Sequence, residues 1–493
     1  MSALDPWLGN FIAGCFTRPP AGASFQSHDP ATARGDVVFE AMSDPTAVDA
    51  AVSAAEQAWQ AWRRLGFDGR LAALERVRAL LPAHAERLAE AITNEMGKPI
   101  AEARAEVGLL GNKIDEMRRI VPHELGPAVA GAPGEQRFAP LGPTAIVGPF
   151  NFPLHLVHTH LVPVLLTGNT VIAKPSELTP LAGQRYAELF AAAELPAGVF
   201  NLVQGTGDVG GTLVAHPRVR CVVFTGGIDT GRRIRLATFD QPWKKLCLEL
   251  GGKNPAIVLD DADLDQAVRE LLLGALLTTG QRCTATSRVI ATPGIADALR
   301  DALTDALGRI RPGDPRRDTT FLGPLASHSA RARYLARLTA AKAEAAEVIL
   351  DGESQPDGAF VTPSLLRAAG TESFLTEELF GPSLAFEVAR DEADALDRIA
   401  GGPFGLSASV FSADPTAFER FVDQAPFGIL NWNRSTNGAS GALPFGGLGA
   451  SGNFNPGGSM APRLATVPTA VMRQPLGART ANTQLDAALR GTL

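Results

Sequence analysis

Between residues 143 and 225, short unbroken apolar runs alternate with a stretch of helical period, and this pattern constrains the fold most. "TAIVGPF" and "NTVIAKPSE" are β-branched runs ended by Gly or Pro. "LAGQRYAELFAAAEL" carries apolar residues at spacings of three and four, and "VFNLVQG" and "RVRCVVFTGG" are again strand-like. Strands joined through helices run parallel, because a tight hairpin cannot connect parallel neighbours. Runs that are apolar at every position, not every second one, fit a sheet covered on both faces. The style recurs after residue 252: "PAIVLD", a helix over 264–279, "SRVIAT", a helix over 295–309, then "SLAFEVA" and "ASVFSA". The expectation is an α/β chain with two parallel-sheet domains meeting near Gly251–Gly252.

The flanking segments read differently. Residues 1–45 are turn-rich, with short β-like pieces such as "DVVFEA". Residues 47–118 have helical periodicity, interrupted at "TNEMGKP" by a Gly and a Pro. The segment "STNGASGALPFGGLGASGNFNPGG" is long enough to predict a functional loop and not a linker. A chain of 493 residues with 45% hydrophobic and 20% charged residues is that of an ordinary globular protein. The net charge of -7 and the lack of a basic stripe argue against a nucleic-acid partner. No apolar run approaches roughly 18 residues, and the N-terminus lacks a basic region before its apolar part, so neither a membrane span nor a signal peptide is expected. Cys15, Cys221, Cys247 and Cys283 show no pairing pattern; free thiols in the cytoplasm are the simplest reading.

Several stretches carry possible chemistry, each with an ordinary structural alternative. Gly205, Gly207 and Gly210 form a GxGxxG after a strand, the setting of a dinucleotide turn, but no acidic residue closes a second strand where that fingerprint needs one. A second glycine turn, Gly226 to Gly231, again follows a strand. Lys174 and Glu177 lie where a parallel strand ends, so they face the ligand crevice or form a solvated pair. Glu249 sits in an apolar strand: buried, it is a raised-pKa general base; turned outward, a surface carboxylate. Asn151 is a fixed amide donor for an oxyanion, or a turn residue. His155, His158 and His160 lack the further ligands a metal site needs, and core or surface roles fit them better. Cys283, in "TTGQRCTAT", is a nucleophile or a small core residue; Arg282 beside it does not decide.

Taken in order, "GPFNFP", "GNTVIAKPSELTP", "FTGGIDTG", "LELGGKNP", "GQRCTA", "EELFGP" and "PFGGLGASG" resemble the aldehyde dehydrogenase superfamily over roughly residues 20–470. The resemblance implies two Rossmann-like parallel-sheet domains and a small β oligomerisation arm. It divides the chain into an NAD-binding domain (1–122 and 141–251), a catalytic domain (252–450), and an arm and tail (123–140 and 451–493). It implies that Cys283 is the nucleophile, Glu249 the general base, and Asn151 the side-chain donor of the oxyanion hole. Lys174 and Glu177 would hold the adenosine ribose of NAD, Gly207 would lie by the adenine, and Gly226, Gly227 and Gly231 by the pyrophosphate. Glu378 and Phe380 would touch the nicotinamide ribose and ring. Gly227 departs from the family, which has a serine there. No metal is implied. A Glu at 249 favours hydrolysis of the acyl-enzyme over transfer to coenzyme A.

Within the superfamily, "PFNFPLHL", "NLVQG", "GILNWNR" and "GASGNFNP" resemble a branch that oxidises N-succinyl-L-glutamate 5-semialdehyde in arginine catabolism. Arg434 and Lys113 are candidate anchors for a substrate carboxylate. The segment after Gly452 departs from that branch, leaving another small-molecule aldehyde as the alternative. A catalytically silent NAD-binding or structural protein is the alternative of a different class. The resemblance also implies a homodimer or homotetramer, with the arm and the tail near 465–475 pairing to another subunit.

Overall fold

The computed structural model describes residues 5–19, 21–126 and 134–490. Three long helices open the chain: α1 Ala47–Arg64, α2 Gly66–Met96 and α3 Ile100–Glu124. The interruption read at "TNEMGKP" falls at its end, because α2 runs through Thr93 to Met96. Gly97 then takes φ 72°, and its N–H bonds the Thr93 carbonyl at 2.9 Å. A Cβ there would lie 2.3 Å from Pro324 Cγ, so the turn needs glycine.

The first sheet holds five parallel strands in the order Lys245–Glu249, Cys221–Thr225, Pro143–Val147, Thr170–Lys174, Phe200–Leu202. The antiparallel pair Asn10–Ile12 and Cys15–Thr17 extends it. Between its strands run α4 His155–Leu166, α5 Pro180–Ala192, α6 Gly207–Ala215 and α7 Ile228–Ala237. Alternate strand residues feed two cores. Ile146, Val171, Ala173 and Val223 pack with α2, α4 and α5, whereas Ala145, Ile172, Val222 and Leu248 pack with α1, α6 and α7. Both faces are covered, which is why these strands are apolar throughout. The strand order reverses between Pro143–Val147 and Cys221–Thr225, and the crevice at such a switch point is where α/β sheets bind ligands.

The second sheet begins at Asn254–Val258, four residues after the first ends. Its order is Glu347–Leu350, Ser364–Arg367, Ser383–Val388, Thr286–Ala291, Asn254–Val258, Ser407–Phe411, Ile429–Trp432, parallel except for the first pair. Helices α8 Leu264–Leu276 and α9 Pro293–Arg309 cover one face. On other sides lie α10 His328–Glu344, α11 Glu392–Ala400 and α12 Pro415–Gln424.

Two expectations need correction. The helix expected to reach 279 stops at Leu276; a short 3-10 turn follows in which Thr278 (φ 55°) and Thr279 (φ 56°) are left-handed. The apolar run continues past the helix because this turn is buried too, so periodicity could not mark its end. The expected arm over 123–140 begins later, since His123 and Glu124 complete α3, and 127–133 lie outside the described residues. Gly134–Pro140 pairs antiparallel with Thr466–Met472 of the same chain.

Candidate active site

A cleft of about 1080 Å³ opens at the switch point of the first sheet. Asn151, Lys174, Glu177, Gly207, Gly226, Gly227, Cys283, Glu378 and Phe380 line it, contributed by both sheets' loops. Gly231 lies behind the lining: a Cβ there would meet Leu250 Cδ2 at 2.8 Å, so its small size lets α7 approach the sheet. The first turn of α7 presents Gly227, Ile228 and Asp229 to the cleft. Free N–H groups at a helix start favour anions.

Lys174 ends its strand and is buried, with Nζ 3.4 Å from the half-exposed Glu177 carboxylate. The solvated-pair alternative therefore fails for Lys174. Burial lowers its pKa, opposed by Glu177. Glu378 is nearly enclosed: its Oε1 accepts the Gly252 N–H at 3.1 Å, and burial raises its carboxyl to about 7. Phe380, with φ 59°, meets Phe150 edge-on at 6.0 Å.

Asn151 is buried, and its Nδ2 donates to the Gln281 carbonyl at 2.8 Å. The turn after "GPF" and the turn before Cys283 thus touch directly. Asn254 Nδ2 donates to the Cys283 carbonyl at 2.8 Å and to the Ala285 carbonyl at 2.9 Å, holding the thiol's backbone. The partly accessible Cys283 has its thiol pushed up to about 12, chiefly by burial and then by the Glu378 and Glu249 carboxylates. Arg282 does not offset this. It pairs with Glu102 at 2.8 Å and lies over the Phe152 ring.

Glu249 is the last residue of its strand and is buried. Leu248 and Leu250 on either side are buried too, so alternation could not place it. Its backbone carbonyl accepts the Gly226 N–H at 3.0 Å, tying it to the glycine turn. Its side chain lines a second cavity of about 250 Å³, shared with Gly446, Gly447 and residues 452–456. There Oε1 accepts the Gly457 N–H at 3.3 Å, while Oε2 has no partner among the described residues. Burial raises this carboxyl well above the ordinary range.

The segment after Gly452 lies against this strand. Asn453 accepts the Leu248 N–H at 2.9 Å and donates to the Leu246 carbonyl at 2.9 Å.

The two candidate substrate anchors line neither cavity. Lys113 is buried on α3 with Nζ 3.5 Å from Glu116, and Arg434 is exposed. The histidines go to the core: His158 bonds the Tyr186 hydroxyl at 2.6 Å and the Leu110 carbonyl at 2.9 Å, and His160 is buried. Among the described residues no group of three or more His, Cys, Asp or Glu is placed to hold a metal. No helix among them is long and apolar enough to cross a membrane. Sequence reading missed Glu102, Glu106, Lys98 and Asn254, which act on the site from other elements. It also missed the closeness of Cys221 and Cys247, whose thiols both bond the Leu464 carbonyl from neighbouring strands.

Comparison with known proteins agrees with this geometry. The model of the aldehyde dehydrogenase family matches residues 17–466. N-succinylglutamate 5-semialdehyde dehydrogenase of Ectopseudomonas mendocina is 38% identical over 452 residues, covering 90% of this chain and 92% of that protein. The enzyme of the same name from Burkholderia mallei is 38% identical over 475 residues, covering 93% and 95%. Among solved structures, aldehyde dehydrogenase C (C291A) from Pseudomonas syringae, in complex with NAD+ and octanal, superposes with a TM-score of 0.91 at 30% identity, covering 95% of this chain and 98% of that one. A 1-pyrroline-5-carboxylate dehydrogenase from Thermus with bound NAD gives 0.87 at 30%, covering 94% and 92%. A family model matched over residues 17–466, nearly the whole chain, together with relatives 38% identical over nine-tenths of it, shows that this protein belongs to the aldehyde dehydrogenase family and oxidises aldehydes.

Proposed function

We propose that the protein oxidises N-succinyl-L-glutamate 5-semialdehyde to the carboxylic acid with NAD, using Cys283 as nucleophile. The observation that carries the catalytic reading is the Asn151–Gln281 contact, which brings an amide donor against the turn that bears the thiol. The substrate reading rests on the 38% identity to enzymes named for that semialdehyde.

The cleft fits a dinucleotide. Its glycines 207 and 227 leave open space where a Cβ would stand, its helix start suits a pyrophosphate, and among the described residues the buried Lys174 ammonium has only Glu177 as an ion-pair partner. Lys174 and Glu177 would hold the adenosine ribose, and Glu378 and Phe380 the nicotinamide end. Bound there, the nicotinamide supplies a hydride acceptor. A carboxylate at 177 repels a 2'-phosphate, which favours NAD over NADP.

Cys283 Sγ attacks the aldehyde carbon and loses its proton. Asn151 Nδ2, turned from the Gln281 carbonyl, and the Cys283 N–H stabilise the oxyanion. Loss of hydride leaves a thioester on Cys283. Glu249 lines the small cavity beside the site and takes a proton from water, which hydrolyses the thioester. The first sheet with α1–α7 serves as the cofactor domain and the second as the catalytic domain. The reading includes a cytoplasmic location and a dimer or tetramer. The ribbon of 134–140 with 466–472 supports the assembly, since it leaves exposed residues such as Val467 and Met472.

A panel of semialdehydes and aliphatic aldehydes, followed by NADH fluorescence, tests the substrate. N-succinylglutamate semialdehyde is expected to exceed propanal at least a hundredfold in kcat/KM; equal values defeat the assignment. In the same assay Glu177→Gln is expected to raise the use of NADP relative to NAD several-fold.

A further inference from the structure

Thr278 and Thr279 are consecutive left-handed threonines placed just before Cys283. Branched residues resist that backbone, so the conformation persists only where surrounding groups hold it. The group that holds it is Glu102 of α3. Its Oε1 accepts the Thr278 N–H at 3.0 Å and its Oε2 accepts the Thr278 hydroxyl at 2.8 Å. Arg282 closes the square, donating to Glu102 Oε2 at 2.8 Å and to Thr278 Oγ1 at 3.0 Å.

One helical turn further along α3, Glu106 makes the matching contact on the other side of the site. Its Oε1 accepts the N–H groups of Leu154 and His155, both at 3.0 Å, fixing the turn that carries Asn151. Its Oε2 takes the buried Lys98 ammonium at 2.5 Å. Lys98 and Arg282 both lie over the Phe152 ring, at 3.6 and 5.0 Å from its centre. Residues four apart share a helix face. One face of α3 therefore grips the nucleophile's turn and the amide donor's turn, and neither carboxylate lines the cleft.

We propose that Glu102 is a positioning residue, which with Glu106 forms a two-carboxylate clamp on α3 that sets the Cys283 nucleophile against the Asn151 amide. This rests on Cys283 being the nucleophile, as proposed above. Glu102 touches no substrate. It acts by keeping Thr278 left-handed, which fixes the course of Gln281 and Cys283.

The test measures the full-length protein with NAD and the best substrate of the aldehyde panel. Glu102→Ala is expected to lower kcat at least thirtyfold while the aldehyde KM and the NAD Kd stay within threefold. Adding Thr278→Gly to that variant is expected to restore at least tenfold of kcat, because glycine adopts left-handed backbone without a latch. A purely structural role predicts no such recovery. The isosteric Glu102→Gln keeps an acceptor for the Thr278 N–H but loses the ion pair, and its kcat is expected between wild type and Glu102→Ala. If Glu102→Ala does not fold, Glu102→Gln carries the test with the loss set at threefold. A kcat at wild-type level in the folded variant, or no recovery with Thr278→Gly, overturns the clamp. Cys283→Ala is measured alongside: if it retains turnover, the nucleophile assignment fails instead.

Discussion

Gly227 leaves room for a side chain. Its φ is -73°, and a Cβ there meets no heavy atom within 4 Å. A serine would cap α7 and give the pyrophosphate one hydroxyl contact. A net hydrogen bond of roughly 0.5–1.5 kcal/mol corresponds to a 2- to 10-fold change in affinity. Gly227→Ser is therefore expected to tighten NAD binding by that factor in a fluorescence titration, with kcat unchanged. At Glu249 the expectation concerns the second half-reaction. Glu249→Gln cannot take the proton from water, so kcat should fall about 10²- to 10⁴-fold. A first burst of NADH, near one per active site, should survive. Both Cys283, at about 12, and Glu249 are raised, and in the proposed mechanism both work deprotonated. The active form therefore grows with alkalinity, and kcat/KM should rise from pH 6 to pH 9. A flat profile would show that these groups do not titrate in the rate-setting step. The residue types at 151, 249 and 283 were legible in the sequence, but burial was not: Glu249 is flanked by leucines whichever way it points.

At the scale of elements, the strand Lys245–Glu249 is an edge of the first sheet that another segment completes. Asn453 bonds it on two backbone groups, and the Ser451 carbonyl accepts the Leu250 N–H at 2.9 Å. An edge strand with open N–H and C=O groups is otherwise free to shift. Asn453→Ala is expected to cost about 1–3 kcal/mol in urea unfolding and to lower kcat more than it alters NAD binding, because Glu249 ends this strand. Stability and kcat both at wild-type values would rule out this role. The strand and helix order was readable because both faces of each sheet are covered and the periods differ. The end of α8 was not. Thr278 and Thr279 are poor candidates for left-handed backbone; Glu102, more than 170 residues earlier, holds Thr278, and the Gly323 carbonyl accepts the Thr279 hydroxyl. The glycine-rich segment was expected to be functional, but its place beside Glu249 comes from hydrogen bonds that span about 200 residues.

At the scale of the molecule, three histidines of α4 couple stability to acidity. Burial lowers His155 to about 4 and both His158 and His160 to about 3. Between about 6.5 and 4 the unfolded chain takes up three protons that the folded protein refuses. The histidines' contribution to stability therefore falls as pH falls, by roughly 1.4 kcal/mol per pH unit for each group. Glu95, Glu378 and Glu249 act the other way: burial raises Glu95 to about 8, Glu378 to about 7 and Glu249 well above the ordinary range, so the folded state keeps three protons that the unfolded chain releases above about 4.5. The three protons refused and the three kept cancel across about pH 6.5 to 5, so the urea midpoint should stay nearly constant over that range. A midpoint that drops steeply there would mean that the buried carboxyls are ionised in the folded protein. The segments 134–140 and 466–472 form a two-stranded ribbon within one chain.

The sequence by itself determined the parallel α/β architecture, the place of most of the parallel strands along the chain and the choice of candidate reacting groups. Apolar periodicity and short motifs are local properties, and a local pattern survives whatever lies across from it. Only the tertiary structure decided which way Glu249 faces, that Arg282 serves Glu102 and not the thiol, and that Asn151 meets the turn before Cys283. Those outcomes depend on desolvation and on hydrogen bonds between residues a hundred or more positions apart, and no window of sequence contains both partners.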